Sequence, residues 1–186
     1  LDPLAEHHRE PLREAGNDPD LWRFANVNLD NTNFDAWIDH RLTEIANTND
    51  LTWAVFDKAS NSYAGSTSYL AVVLAHKRLE IGWTWYAKRV QRTGLNTEAK
   101  LLMLGHAFET LGAIAVEFRT SWFNHPSRTA IARLGAKQDG VLRNHMIMAD
   151  GTRRDTVVFS IIDSEWPGVK SHLNYKLEQG SRIHGE

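Results

Sequence analysis

Trp85-Tyr86-Ala87-Lys88-Arg89-Val90-Gln91-Arg92-Thr93-Gly94-Leu95-Asn96-Thr97-Glu98-Ala99-Lys100 is where the chain changes its period. Upstream, Ile81, Trp83 and Trp85 alternate with Glu80, Gly82 and Thr84, the repeat of a strand with two distinct faces. Downstream, Leu101, Leu104, Phe108 and Leu111 recur at helical spacing, with Leu95, Ala99 and Leu102 on an adjoining stripe. A helix with a broad apolar arc, ending near Gly112, is expected there. The junction is short, polar and basic, and its hinge is expected at Gly94. A helix start exposes backbone N–H groups at the positive end of the helix dipole. With Gly94 giving close access to the backbone, and Arg89 and Arg92 adding charge, the junction suits a phosphate. A solvated strand-to-helix turn would use the same residues, so this stretch alone leaves both readings open.

Gln91-Arg92-Thr93-Gly94-Leu95-Asn96 resembles the pyrophosphate-binding signature of the GNAT (Gcn5-related) N-acetyltransferases, Gln/Arg-x-x-Gly-x-Gly/Ala. It departs from that signature at Asn96, which replaces a small residue. Glu80-Ile81-Gly82-Trp83 resembles the RimJ/RimL-like branch, which acetylates N-termini of ribosomal proteins. So do Asn124-x-x-Ser127, the run Ile131-Ala132-Arg133-Leu134-Gly135-Ala136, and Asp139-Gly140. The resemblance covers roughly residues 50–162 and implies an α+β GNAT fold. In that fold a mixed, mostly antiparallel sheet is flanked by helices and splayed between its fourth and fifth strands to admit acetyl-CoA. Those strands would be the Glu80 strand and the Ile114 strand.

The resemblance also implies roles. Gln91, Arg92, Thr93, Gly94, Leu95, Asn96 and Thr97 would meet the pyrophosphate, chiefly through backbone N–H groups. Trp83, Thr84 and Trp85 would run beside the pantetheine, and Asn124 would touch the cofactor arm near the thioester. Glu80 would be the base, acting on the amine through water, and Ser127 would hydrogen-bond the sulfur. Many family members carry a tyrosine acid seven residues after the asparagine; here that position is Ile131, which cannot donate a proton. Each role has a plainer counterpart. Glu80 would pair with Lys77 or Arg78 at a sheet edge, Asn124 would cap a helix, and Ser127 would be a helix-start hydroxyl. A carboxylate on an aromatic-rich strand can have a raised pKa, which suits a base near neutral pH.

Composition narrows the classes. The chain has 186 residues, 42% apolar and 24% charged, with a formal net charge of −2. One domain over 1–186 is expected, with a tail at roughly 178–186. Without a Lys/Arg run, nucleic acid is not expected as a partner. No apolar run reaches membrane-spanning length, and Leu1-Asp2-Pro3-Leu4-Ala5-Glu6 is not a signal peptide. The absence of cysteine accords with a cytoplasmic protein and excludes thiolate chemistry. The scattered histidines lack metal-ligand spacing, so no metal is expected. Beginning at Leu1, the chain is expected to lack a few residues, among them a short first strand.

In chain order the patterns predict a helix over 4–15 and a second from Asn33 through Ile45. Strands follow at 52–56 and 63–74, with a bend or bulge at Gly65. Beyond the central helix come a strand at 114–120, a helix through Leu134, and strands at 141–148 and 156–162 around Asp150-Gly151. A polar, peripheral helix over 164–177 ends the series. Trp37 and Trp53 are read as core, and Trp22 and Trp122 as facing the acceptor. The expected activity is acetyl transfer to a primary amine, most simply a protein or peptide N-terminus. The alternatives are a small-molecule amine acetyltransferase and a non-catalytic acyl-CoA sensor. A homodimer through the C-terminal strands is compatible with the pattern.

Overall fold

The computed structural model describes residues 1–23, 33–148 and 150–183. Two compact units are present, Leu1–Val72 with Ile81–Gln91, and Val73–Glu80 with Arg92–Glu186.

The first unit opens on β1 (Asp2–Pro3), antiparallel to β2 (Leu51–Asp57). β1 is only two residues long, too few to show a period in the sequence. A 3₁₀ turn at Glu6–His8 leads into α1 (Arg9–Ala15), and α2 (Phe34–Asn47) follows. On α2 the buried residues Phe34, Trp37, Ile38 and Arg41 share one helix face. β3 (Ser62–Val73) is antiparallel to β2, and β4 (Arg78–Tyr86) completes the order β1-β2-β3-β4. The β2–β3 register slips between Val55 and Phe56, opposite Gly65, so the expected bulge is present. A Cβ on Gly65 would lie 2.1 Å from the Trp85 carbonyl oxygen, so a bare backbone is needed for β4 to come this close.

Leu4, Leu12, Trp22, Phe34, Trp37, Ile38, Ala54 and Trp85 form the core of this unit. Trp85 lies edge-on to Trp22 at 5.2 Å and to Trp37 at 6.0 Å between ring centroids. Burial of each large apolar side chain contributes roughly 1.5–3 kcal/mol. The N-terminal segment is tied down by a polar chain. Buried His8 accepts the Ala5 N–H at Nδ1 (3.0 Å) and meets the Tyr63 hydroxyl at Nε2 (3.1 Å), which donates to Asp2 (3.0 Å). Desolvation holds the His8 imidazole below its ordinary pKa.

The second unit holds Arg78–Glu80 of β4, then α3 (Leu95–Gly105), β5 (Ala115–Ser121), α4 (His125–Ala132), β6 (Lys137–Ile147), β7 (Arg153–Ile162) and α5 (Trp166–Ile183). Its strand order is β4-β5-β7-β6, with β4 and β5 parallel and the other pairs antiparallel. The parallel ladder runs from Arg78↔Ala115 to Glu80↔Glu117 and stops, while β5 continues to Ser121 against β7. That is the parting of fourth and fifth strands the family resemblance implies, in a mixed α+β fold.

Three expectations need correction. On α3 the buried residues are Ala99, Lys100, Met103 and Leu104, followed by Ala107, while Leu102 and Leu111 are exposed. The turn at His106–Thr110 is π-helical, and its extra residue rotates every later side chain off a 3.6-residue extrapolation. Second, α5 is not peripheral. Trp166, Val169 and Leu173 are buried, Trp166 stacks on Phe108 at 5.4 Å, and its indole N–H donates to Glu109 at 2.6 Å. Third, α5 extends over most of the expected tail, to Ile183; residues 184–186 lie outside the described residues. No helix among the described residues is long and apolar enough to cross a membrane.

Candidate functional site

Most of the candidate residues lie in the second unit, in three groups. The first is the start of α3. Here the left-handed residue is Arg92 (φ 64°), whereas Gly94 has ordinary helical backbone (φ −70°). A Cβ on Gly94 would make only van der Waals contact with Leu177, at 3.5 Å, so the hinge lies two residues earlier than Gly94. Thr93 Oγ1 accepts the Leu95 N–H (3.2 Å), and the Glu98 N–H closes the first helical bond to the Gly94 carbonyl (2.9 Å). The N–H groups of Asn96 and Thr97 have no partner among the described residues. They stand at the positive end of the helix beside exposed Arg92. Asn96 Oδ1 is buried and also lacks a hydrogen-bond partner among the described residues. Open N–H groups, a cation and solvent access fit a pyrophosphate.

The second group sits on the last rung of the parallel ladder. Glu80 faces Glu117 directly, and their side chains are only 16% and 12% exposed. Adjacent like charges repel, and arginines offset the repulsion. Arg119 Nε lies 3.4 Å from Glu80 Oε2 and Arg119 Nη2 lies 2.9 Å from Glu117 Oε2, while Arg78 pairs with the other Glu117 oxygen. Arg154 adds a further cation in the field of Glu80, and its own burial lowers its guanidinium pKa. Glu80 is therefore set among charges rather than in the apolar surroundings anticipated from its strand. Arg119 lies beside it because the parallel register places β5 side chains there.

The third group is the start of α4. Asn124 Oδ1 accepts the Ser127 N–H at 3.1 Å, so Asn124 is the N-cap and its amide NH₂ remains available to donate. Ser127 stands in the first turn of α4, and its hydroxyl makes no hydrogen bond among the described residues. Ile131, at the position where many family members carry a tyrosine, is buried.

In the first unit, Trp83 takes a left-handed conformation (φ 46°) that breaks the regular strand, and Trp85 points into the core. Exposed Thr84 bonds Thr67 across the sheet (2.8 Å), and the Gln91 amide donates to the Tyr86 carbonyl (3.0 Å). Arg89 is not available to a phosphate. Its guanidinium donates to Ser60 (3.0 Å), Ser62 (2.8 Å) and the Tyr63 carbonyl (2.7 Å), and pairs with Asp57 (3.3 Å). Trp22, expected to face the acceptor, is core, with its indole N–H on the Gly16 carbonyl (3.0 Å). Trp122 in the second unit is exposed, with Arg128 stacked over it at 4.3 Å. Two surface hollows of the first unit, about 410 and 210 Å³, contain none of the candidate residues.

Sequence reasoning missed Arg119, Glu117 and Arg154. The signal for Glu117 and Arg119 was the alternation of charges along the 114–120 strand, whose face and register only strand pairing defines.

Residues 1–137 match the family model described as Acetyltransferase (GNAT) domain. The chain belongs to the GNAT acetyltransferases. A GCN5-related N-acetyltransferase from Brucella melitensis is 30% identical, with a TM-score of 0.85 over 94% of this chain and 80% of that one. A protein of T. thermophilus assigned as an acetyltransferase is 36% identical, with a TM-score of 0.82 over 94% and 91% of the two chains. YoaA of Bacillus subtilis (strain 168), an uncharacterized N-acetyltransferase, is 26% identical over 112 residues, 60% of this chain and 62% of its own length. At 18% identity and a TM-score of 0.76, Mycobacterium smegmatis RimJ, solved with CoA-disulfide, shares the GNAT fold. So does a Vibrio cholerae spermidine N-acetyltransferase solved with CoA and spermine, at 15% and 0.72.

Proposed function

We propose that this GNAT chain transfers the acetyl group of acetyl-CoA directly to a primary amine, and that the acceptor is a protein or peptide N-terminus, as in the RimJ/RimL-like branch. The observation that carries the reading is the sheltered Glu80–Glu117 pair, at the point where β4 and β5 part, on strands that lead to the starts of α3 and α4. The ammonium first gives up one proton, the amine nitrogen bonds to the acetyl carbon, the carbon–sulfur bond breaks, and a second N–H proton leaves to neutralise the CoA thiolate. Glu80, beside Arg119 and in the field of Arg154, takes a proton of the amine through water. Acetyl-CoA, when bound, supplies the activated acyl group.

Asn96 and Thr97 hold the pyrophosphate through their N–H groups, and Arg92 adds charge. The Ser127 hydroxyl, unbonded among the described residues, donates toward the departing sulfur. With Ile131 where a tyrosine acid would stand, serine's weak acidity makes this a hydrogen bond rather than a full proton transfer. Positioning both reactants supplies several kcal/mol of the barrier. A reducing, cytoplasmic setting and a homodimer through the C-terminal strands belong to the same proposal.

A thiol-release assay with acetyl-CoA across peptide N-termini and small amines tests it. Glu80→Gln should slow turnover about 10²–10⁴-fold with acetyl-CoA affinity unchanged. Faster turnover of small amines than of any peptide moves the acceptor assignment to small molecules. Tight acetyl-CoA binding without turnover of any acceptor overturns the enzyme reading in favour of a sensor.

A further inference from the structure

The two acids on the last rung of the β4–β5 ladder are not equivalent. Glu117 has both carboxylate oxygens engaged. Its Oε1 pairs with Arg78, and its Oε2 lies 2.9 Å from Arg119 Nη2 and 3.3 Å from Arg119 Nε. Glu80 Oε2 lies 3.4 Å from the same Nε, longer than the roughly 2.7–2.9 Å of a charge-assisted hydrogen bond. Arg119 is thus fastened to Glu117 and leans on Glu80. A carboxylate that already holds two guanidiniums is a poor proton acceptor, whereas one beside a shared cation can still take a proton.

The strand pattern builds this arrangement. Glu117 and Arg119 are two residues apart on β5 and share one face of the sheet. The parallel register sets Glu80 directly opposite Glu117, where like charges are destabilising. Arg119, one step along that face beyond the last rung, reaches back to both acids, and its side chain is 37% exposed. Charge reaches Glu80 from three strands. Arg78 precedes it by two residues on β4, Glu117 and Arg119 stand on β5, and Arg154 on β7 acts through space. β3 carries no charged side chain.

We propose that Glu117 and Arg119 are positioning residues for the base. Glu117 anchors the Arg119 guanidinium, and the guanidinium orients the Glu80 carboxylate and offsets the charge of the second acid. Both act through Glu80 and so rest on the reading of Glu80 as the base. Their removal has opposite consequences. Without the guanidinium, Glu80 faces the Glu117 charge and binds its proton more tightly. Without the Glu117 charge, the guanidinium acts on Glu80 unopposed, and Glu80 binds its proton more weakly.

Two measurements on the intact chain test this for wild type, Arg119→Met, Arg119→Lys and Glu117→Gln. The first is the pH profile of kcat/KM by thiol release. The second, which needs no turnover, is carbon NMR titration of isotope-labelled glutamate carboxyl groups, with the Glu80 signal assigned by its loss in Glu80→Gln. Arg119→Met should move the acid limb of the profile and the Glu80 titration up by about one pH unit, and Glu117→Gln should move both down by about as much. Arg119→Lys keeps the charge and loses the planar fork. It should titrate close to wild type while kcat falls about tenfold. A merely structural cluster would lower the melting temperature of the variants without shifting Glu80 in opposite directions.

A Glu80 titration that stays in place in Arg119→Met and Glu117→Gln, or moves the same way in both, overturns the proposal. Should Arg119→Met fail to fold, the near-isosteric Glu117→Gln decides, and the absence of a downward shift in it is refutation. If Glu80 titrates as expected in each variant but the acid limb does not follow, Glu80 is not the base, and the coupling of the three side chains still stands.

Discussion

Lys100 on α3 gives a prediction whose size comes directly from its surroundings. Its side chain is 3% exposed, and burial holds the ammonium pKa down at about 7, against 10.5 for a free lysine. Between those values the unfolded chain binds a proton that the folded chain does not, so stability rises with pH. Below pH 7 both states are charged and the full cost of burial is felt; above about 10.5 both are neutral and the cost is gone. A gap of about 3.5, at about 1.36 kcal/mol per pKa unit, amounts to about 5 kcal/mol. About 2 kcal/mol of that is recovered between pH 7 and pH 9.

The perturbation is Lys100→Met, which keeps an unbranched chain of similar length and removes the charge. Urea unfolding at pH 7, 8 and 9 gives the stability of both proteins at each pH. Wild type should gain about 2 kcal/mol more than the variant between pH 7 and pH 9. His8, buried and with its pKa lowered by desolvation, changes state below this window and does not interfere. Parallel pH dependence in the two proteins would refute the reasoning, since Lys100 would then keep its proton on folding.

Gly65→Ala should destabilise the first unit by about 3 kcal/mol, because the obstructing atom is the Trp85 backbone oxygen and cannot swing aside; chemical denaturation checks it. Asn124→Ala should lose the α4 cap, at about 1 kcal/mol. Asn124→Asp should keep the cap and the melting temperature but weaken acetyl-CoA binding, and equal affinity in all three proteins would confine Asn124 to capping. Arg89→Met should lower the melting temperature and leave the acetyl-CoA Kd unchanged, because its guanidinium already serves Asp57, Ser60, Ser62 and Tyr63. A weakened Kd would place Arg89 among the residues proposed to meet the pyrophosphate.

The fold was legible because its signals are local. The alternation through Ile81, Trp83 and Trp85 is a property of neighbouring residues, and so is the helical repeat beyond Gly94. The Asp150-Gly151 turn and the Asn124 cap are likewise set by a few adjacent side chains and the backbone they bond. Two local readings failed where backbone geometry departed from its ideal. The π-helical turn after Gly105 turned Leu111 out of the apolar arc, and the left-handed residue of the loop before α3 is Arg92 rather than glycine. α5 looked peripheral because three buried residues are scattered among polar ones, and only packing on Phe108 and Glu109 distinguishes them.

By itself, the sequence determined which segments are strands and helices, the open helix start at Asn96 and Thr97, and Glu80 as the carboxylate worth testing. Tertiary structure decided what stands beside each of these. Strand register set Glu117 and Arg119 against Glu80, and helix packing laid Arg41 on Trp83 and spent Arg89 on the β2–β3 turn. Secondary structure follows from interactions a few residues apart along the chain. Charge pairing and burial depend on residues dozens of positions away, which meet only when the strands and helices pack.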